Sequence, residues 1–204
     1  MPPAQRPTLH ILAGPNGAGK STLYQTRLQA TANAEFVNPD LLVREALGRH
    51  PLSREEAELG QRLANERRDV LMAARRDLVT ESTFSHPSKL ELIEDAHDLG
   101  YRVTIYHVNV RDPDLSIERV AFRVSKGGHP VPEANIRARY DRNQPLIRNA
   151  VLMSERGFIF DNSVSGRAPR LLIAFKDGVV IKSFGPRPTW ASSLYADDLA
   201  VLRR

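Results

Sequence analysis

The chain has 204 residues, a formal net charge of +5 and no cysteine. One domain spanning residues 1–204 is the simplest reading, since a chain of this length can bury roughly 70% of its unfolded surface; the lack of cysteine excludes disulfides and thiolate metal sites and suits a reducing cytoplasm. No run approaches the ~20 apolar residues that span a bilayer, and residues 1–7 lack the apolar stretch of a secretory leader, so a cytoplasmic protein with no membrane partner is expected.

Residues 8–13, Thr-Leu-His-Ile-Leu-Ala, form a short, mostly apolar run that predicts a buried strand. Gly14-Pro15-Asn16-Gly17-Ala18-Gly19-Lys20-Ser21 follows and fits G-x-x-x-x-G-K-[ST] at every fixed position. In such a loop the glycines let successive N–H groups turn around phosphate oxygens, the lysine reaches the β- and γ-phosphates, and the hydroxyl holds Mg²⁺. Residues 21–28, with Thr22 in the first turn, are expected to continue as a helix whose dipole faces the phosphates. ATP and Mg²⁺ are the expected ligands, with Ser21 as the metal ligand.

Residues 35–40 read as a brief strand in which Pro39 keeps Asn38 extended, so that the chain turns at Asp40 into a helix over 41–47 closed by Gly48. Asp40 has two compatible readings: a helix N-cap, or a carboxylate at a strand end where open α/β sheets bind ligands and a base for a substrate hydroxyl would sit. Ser53 and Glu56 form a capping box for a long amphipathic helix to Arg76, with Arg62, Arg67, Arg68, Arg75 and Arg76 read as mostly solvated. Residues 77–83 return to strand; Glu81 at its polar end is either an acid serving the metal shell or substrate, or a plain loop carboxylate.

A helix over 87–99 is predicted, with Ser88 and Glu91 at capping-box spacing and Gly100 closing it. Residues 102–110 are rich in β-branched side chains and predict a central strand, with His107 as a sheet residue rather than a catalyst. From Asp114 a basic helix carries Arg119 and Arg123 on one face; Lys126-Gly127-Gly128-His129-Pro130-Val131-Pro132 breaks it, and a second helix carries Ile136, Arg137, Arg139 and Tyr140. The pair reads as a lid of about 114–145 whose guanidinium groups close over transferring phosphate, or as a plain basic hairpin with a solvated face. Periodicity cannot choose between Arg137 and Arg139 across the break. Because these basic stretches are not interleaved with aromatic rings, a phosphate-rich small ligand is favoured over nucleic acid.

Pro145 is expected to kink or end the second helix. Residues 158–163 predict a fifth strand, about 170–183 a β-hairpin turned by Asp177-Gly178, and the tail from Pro188 a surface helix around Trp190 and Leu194. The expected architecture is α/β: a mainly parallel five-stranded sheet with helices on both faces, a helical lid and a C-terminal β-hairpin. That order of elements indicates a P-loop kinase.

The combination of Gly14 to Thr22, Asn38-Pro39-Asp40, Glu81-Ser82-Thr83-Phe84, Arg119 to Arg123 followed by Gly127-Gly128-His129-Pro130-Val131-Pro132, Arg139-Tyr140 and Phe160-Asp161-Asn162-Ser163 resembles the zeta toxin family, especially its small single-domain members. The resemblance implies an ATP-dependent kinase acting on a sugar hydroxyl of a UDP-activated amino sugar, chiefly UDP-N-acetylglucosamine, and a toxin restrained by an antitoxin. It implies that Lys20 and Ser21 hold ATP·Mg²⁺, that Asp40 takes the acceptor proton, that Glu81 and Thr83 bind the sugar nucleotide, that Arg123 and Arg139 steady the phosphates, and that Asn162 lies near the adenine. It favours Arg139 over Arg137. A kinase for another nucleotide, sugar or nucleic-acid hydroxyl, and a nucleotide-dependent binding module, remain open alternatives.

Overall fold

The computed structural model describes residues 6–51, 53–128 and 130–203; His129 of the predicted lid corner lies outside them. The strands are β1 (Thr8–Ala13), β2 (Glu35–Val37), β3 (Leu78–Ser82), β4 (Arg102–Asn109), β5 (Arg156–Asp161), β6 (Arg170–Lys176) and β7 (Val179–Ser183). They form one sheet of seven strands, in the order β2-β3-β1-β4-β5-β6-β7. The first five are mutually parallel, while β6 and β7 add antiparallel at the β5 edge.

The five-stranded expectation is therefore corrected to seven. The hairpin turns as predicted at Asp177 and Gly178, both at positive φ. It does not stand apart, because β6 buries four consecutive residues, Leu172 to Phe175. Pairing with β5 brings this run into the main sheet, where Leu172, Ile173 and Phe175 join the larger core.

Both faces of the sheet are covered. Along β1, Leu9, Ile11 and Ala13 enter one core and Leu12 the other, the period of two that a strand imposes. The helices are α1 (Lys20–Leu23), which continues as a π-helical turn over Tyr24–Leu28, α2 (Pro39–Leu47), α3 (Arg54–Ala73), α4 (Ser88–Asp98), α5 (Pro113–Ser125), α6 (Glu133–Met153), α7 (Thr189–Leu194) and α8 (Ala196–Ala200). Residues of α3, α4, α6 and α7 pack into the larger core. Leu23, Tyr24 and Leu28 cover the opposite face.

Several boundaries depart from the sequence reading. The cap of α2 is Asn38, whose side chain accepts from the Asp40 and Leu41 amides at 2.9 and 3.1 Å. Pro39 takes the first helical position, where its missing N–H costs nothing, so Asp40 lies within the first turn and its carboxylate is not the cap. Ser53 caps α3 as expected, but Ser88 does not cap α4: its hydroxyl and amide turn to His86 Nδ1 at 2.9 and 3.2 Å. Helix α6 does not end at Pro145 but continues past it to Met153, held by Ile136 and Tyr140 buried before the proline and Ile147, Ala150 and Val151 after it. The tail is not a surface helix. Trp190, Ala191 and Tyr195 are buried in the larger core, where Trp190 Nε1 donates to Asp161 at 3.2 Å and Tyr195 meets His107 Nδ1 at 2.8 Å.

Candidate functional site

The residues following β1, β2, β3 and β5 open into one cleft of about 1760 Å³. It lies at the C-terminal ends of the parallel strands, where open α/β sheets place their ligand crevice. The glycine-rich loop forms one wall. A Cβ on Gly14 would collide with the Val108 carbonyl, and one on Gly19, at φ +92°, with the Asn162 side chain. Backbone packed this closely leaves glycine as the residue that fits.

Lys20 is only 6% exposed. Its Nζ donates to the Gly14 and Pro15 carbonyls at 3.0 and 3.1 Å and lies 3.8 Å from Glu81 Oε1. Burial lowers its pKa from the ordinary lysine value, and the Glu81 carboxylate is the leading influence against that fall. The Ser21 hydroxyl donates to Glu81 Oε2 at 2.9 Å, and Asn38 Nδ2 donates to the same oxygen at 3.3 Å. Glu81 thus ties the loop lysine, the loop serine and the cap of α2 together at the end of β3.

Asp40 lies exposed on the rim of this cleft, and Thr83 lines it next to Glu81 along the chain. Asn162 also lines it, but donates its amide to the Ala18 carbonyl at 2.8 Å, bracing the glycine-rich loop from β5. Pro15 and Ala18 lie in the same loop, buried, with the Ala18 amide donating to the Pro15 carbonyl at 3.2 Å; Asn16, Gly17 and Thr22 face the cleft. From the helical pair, Arg119, Arg123 and Arg139 also line the cleft. Arg137 faces elsewhere and pairs with Asp114 at 2.6 Å.

Among the cleft residues that escaped the sequence reading, two lie on the helical wall. Arg68 is half-buried on the wall rather than solvated, and Lys89 of α4 lies on the wall as well. The helical stripe Ala57, Gln61 and Arg68 was the available signal, but arginines at 67 and 68 gave no way to tell the inward one from the outward one, which pairs with Glu35. His107 sits outside the cleft lining, fully buried; burial drives its pKa down to about 3.

Chemically, the site offers a buried cation in the glycine-rich loop, a serine hydroxyl in contact with a carboxylate, a second carboxylate at Asp40 and three arginines along the same cleft. Among the described residues no group of three or more His, Cys, Asp or Glu side chains could hold a metal. A metal here would take most of its ligands from elsewhere.

The model of the zeta toxin family matches residues 1–150. The chain belongs to the zeta toxin family. Among solved structures, this zeta toxin family member is similar to a chain of the AvrRxo1-ORF1:AvrRxo1-ORF2 complex with sulphate ions, with a TM-score of 0.67 at 16% identity over 95% of this chain and 63% of that one. It therefore spans just under two thirds of that relative's length. It is similar to a chain of the PezAT chromosomal toxin–antitoxin system of Streptococcus pneumoniae, TM-score 0.62 and 15% identity over 98% and 87% of the two chains. A shikimate kinase from Acinetobacter baumannii in complex with shikimate matches at TM-score 0.50 and 21% identity, over 79% and 86%. Such identities speak for the fold alone, and that fold is the P-loop kinase fold. A comparison with curated proteins gave no match. No helix among the described residues is long and apolar enough to cross a membrane.

Proposed function

We propose that the chain transfers the γ-phosphoryl group of ATP to a sugar hydroxyl of a UDP-activated amino sugar such as UDP-N-acetylglucosamine, as the toxin of a pair restrained by an antitoxin protein. The observation that carries this reading is the contact of Ser21 with Glu81 beside Lys20, at the end of a cleft whose rim holds Asp40. At about 1760 Å³ the cleft exceeds the roughly 300–1,000 Å³ typical of one small ligand. It has room for donor and acceptor together.

In this reading the backbone of Gly14 to Thr22 cradles the donor phosphates and Lys20 reaches them from within the loop. The donor set fits Mg²⁺: Ser21 Oγ and Glu81 Oε2 are hard oxygens 2.9 Å apart, and this ion commonly takes one or two protein oxygens and keeps water and phosphate for the rest. When bound, the ion neutralises charge on the β- and γ-oxygens. Asp40 orients the acceptor hydroxyl and takes its proton. Glu81 and Thr83 face the sugar nucleotide, and Asn162 stands at the adenine side while bracing the loop. The α5–α6 pair, about residues 114–145, serves as the lid, with Arg123 and Arg139 meeting the charge spread over the transferred group. Arg137, paired with Asp114, is left out of that role.

The related structures lend support at the level of their own ligands and assemblies: AvrRxo1-ORF1:-ORF2 with ATP, and PezAT as a toxin–antitoxin system. The deciding experiment incubates a metabolite pool with ATP and the protein and follows it by mass spectrometry. A product one phosphate heavier than UDP-N-acetylglucosamine is expected; a different phosphorylated metabolite would replace the substrate, and no phosphorylated product would sink the kinase reading. Expression alone is expected to arrest growth, with relief in Lys20→Ala; harmless wild-type expression would refute the toxin role.

A further inference from the structure

The cleft continues past Glu81. Beyond Thr83 and Ser85 it runs between α3 and α4, lined by Gln61 and Arg68 from one helix and by Lys89 and Leu92 from the other. Spacings of seven and three residues put each pair on one helical face. Both cations are half-buried. Arg68 Nη2 donates to Asn65 Oδ1 at 2.6 Å, but its Nε is buried and has no hydrogen-bond partner. Among the described residues no ion pair engages Arg68 or Lys89.

Two cations that feel each other's charge along one cleft wall, each half-withdrawn from water, are costly unless something compensates them. Burial pushes both pKa values down, and the Arg68 charge pushes Lys89 down further. The Asp69 carboxylate offsets the effect of burial on Arg68 only in part. Asp69 is an exposed chain neighbour of Arg68, and Glu58 lines the cleft ten residues, about 15 Å, along the helix from Arg68. An oxyanion would meet the need, since a guanidinium edge and an ammonium both bind phosphate or carboxylate oxygens by charge-assisted hydrogen bonds.

We propose that Arg68 and Lys89 form an oxyanion-binding corner that seats a phosphate or carboxylate of the acceptor molecule, and so select acceptors that carry one. This rests on the kinase reading only in naming the ligand the acceptor. Nothing in the glycine-rich loop contributes to the corner. The donor and acceptor ends of the cleft then each hold their own anion, with Glu81 and Asp40 between them.

The test is isothermal titration calorimetry of the full chain, with the loop saturated by Mg²⁺ and a non-hydrolysable ATP analogue. Inorganic phosphate is titrated in one arm and acetate in the other, and the arm that binds more tightly identifies the oxyanion. Repeating both arms on Lys20→Ala, whose loop has lost its lysine, keeps uptake by the loop out of the result. Saturable binding in at least one arm is expected, weakened at least tenfold in both Arg68→Gln and Lys89→Gln, with the analogue affinity within twofold of wild type. The melting temperatures of the two variants should not fall, because removing one of two like charges relieves repulsion. Absence of binding in both arms, or binding unchanged in the two variants, overturns the proposal. Phosphoryl transfer by a chain that binds no oxyanion there would overturn the corner alone; oxyanion binding without transfer to any metabolite would overturn the kinase reading alone.

Discussion

Glu81 is the residue whose replacement tests the site most directly, and Glu81→Gln changes its charge while keeping its shape. In the native protein its two oxygens face Lys20 Nζ at 3.8 Å, Ser21 Oγ at 2.9 Å and Asn38 Nδ2 at 3.3 Å. Two unit charges at that separation attract by about 4 kcal/mol at an effective dielectric of ~20. Two features reduce the loss: Lys20 keeps its Gly14 and Pro15 carbonyl acceptors, and Glu81 retains 18% of its side-chain exposure, so its charge is partly hydrated in either case. The net destabilisation expected is about 2 kcal/mol, which for a chain of this size lowers the melting temperature by roughly 4–8 °C. Activity should fall further than stability, by roughly 10²–10³ in kcat, with a higher Mg²⁺ concentration needed for half-maximal rate. Thermal melts and a Mg²⁺ titration of the transfer reaction measure the two effects separately. A variant as stable and as active as wild type, with the same Mg²⁺ dependence, would refute the placement of Glu81 between the loop and the metal.

The cap and the candidate base separate cleanly by mutation. Asn38→Ala should lose about 1 kcal/mol through the uncapped amides of α2, whereas Asp40→Asn should leave chemical denaturation within about 0.5 kcal/mol of wild type while abolishing phosphoryl transfer and leaving ATP affinity nearly intact; full activity in Asp40→Asn would remove it from the mechanism. Burial holds His107 neutral down to about pH 3, while in the unfolded chain it takes up a proton near pH 6.5. Its contribution is therefore intact above pH 6.5 and is lost as pH falls, by about 2 kcal/mol between pH 7 and pH 5; denaturant melts at both pH values should show that loss largely removed in His107→Gln, and an equal loss in both proteins would contradict the assignment.

Much of the fold was legible because its signals are local. The β1–loop–α1 unit announces itself in Gly14 to Ser21, the α3 cap in Ser53 and Glu56, and the hairpin turn in Asp177-Gly178. What failed to read were choices decided by tertiary contact. Pro145 carries a strong local instruction to break a helix, but burial on both of its sides overrides it. Ser88 and Glu91 have capping-box spacing, but His86 offers Ser88 a closer partner. The tail around Trp190 has too few residues to display a period, and only the sheet beneath it, with Asp161 and His107 waiting as polar partners, makes it core.

The site divides along the same line, for a reason that bears on specificity. The donor half as proposed is fixed by buried groups bonded to backbone: Lys20 to two loop carbonyls and Asn162 to Ala18. Groups held this way need particular residues at particular spacings, and so leave a motif in the sequence. The acceptor half as proposed uses side chains on helix faces, Asp40 together with Arg68 and Lys89, all of which line the cleft and whose position depends on how helices pack. A helix face tolerates substitution without disturbing the loop, so acceptor choice can change while the donor machinery stays constant. Exchanging the Arg68 and Lys89 charges should therefore alter which acceptors are taken while leaving ATP affinity unchanged, and a joint loss of both would mean that the two halves are a single binding unit.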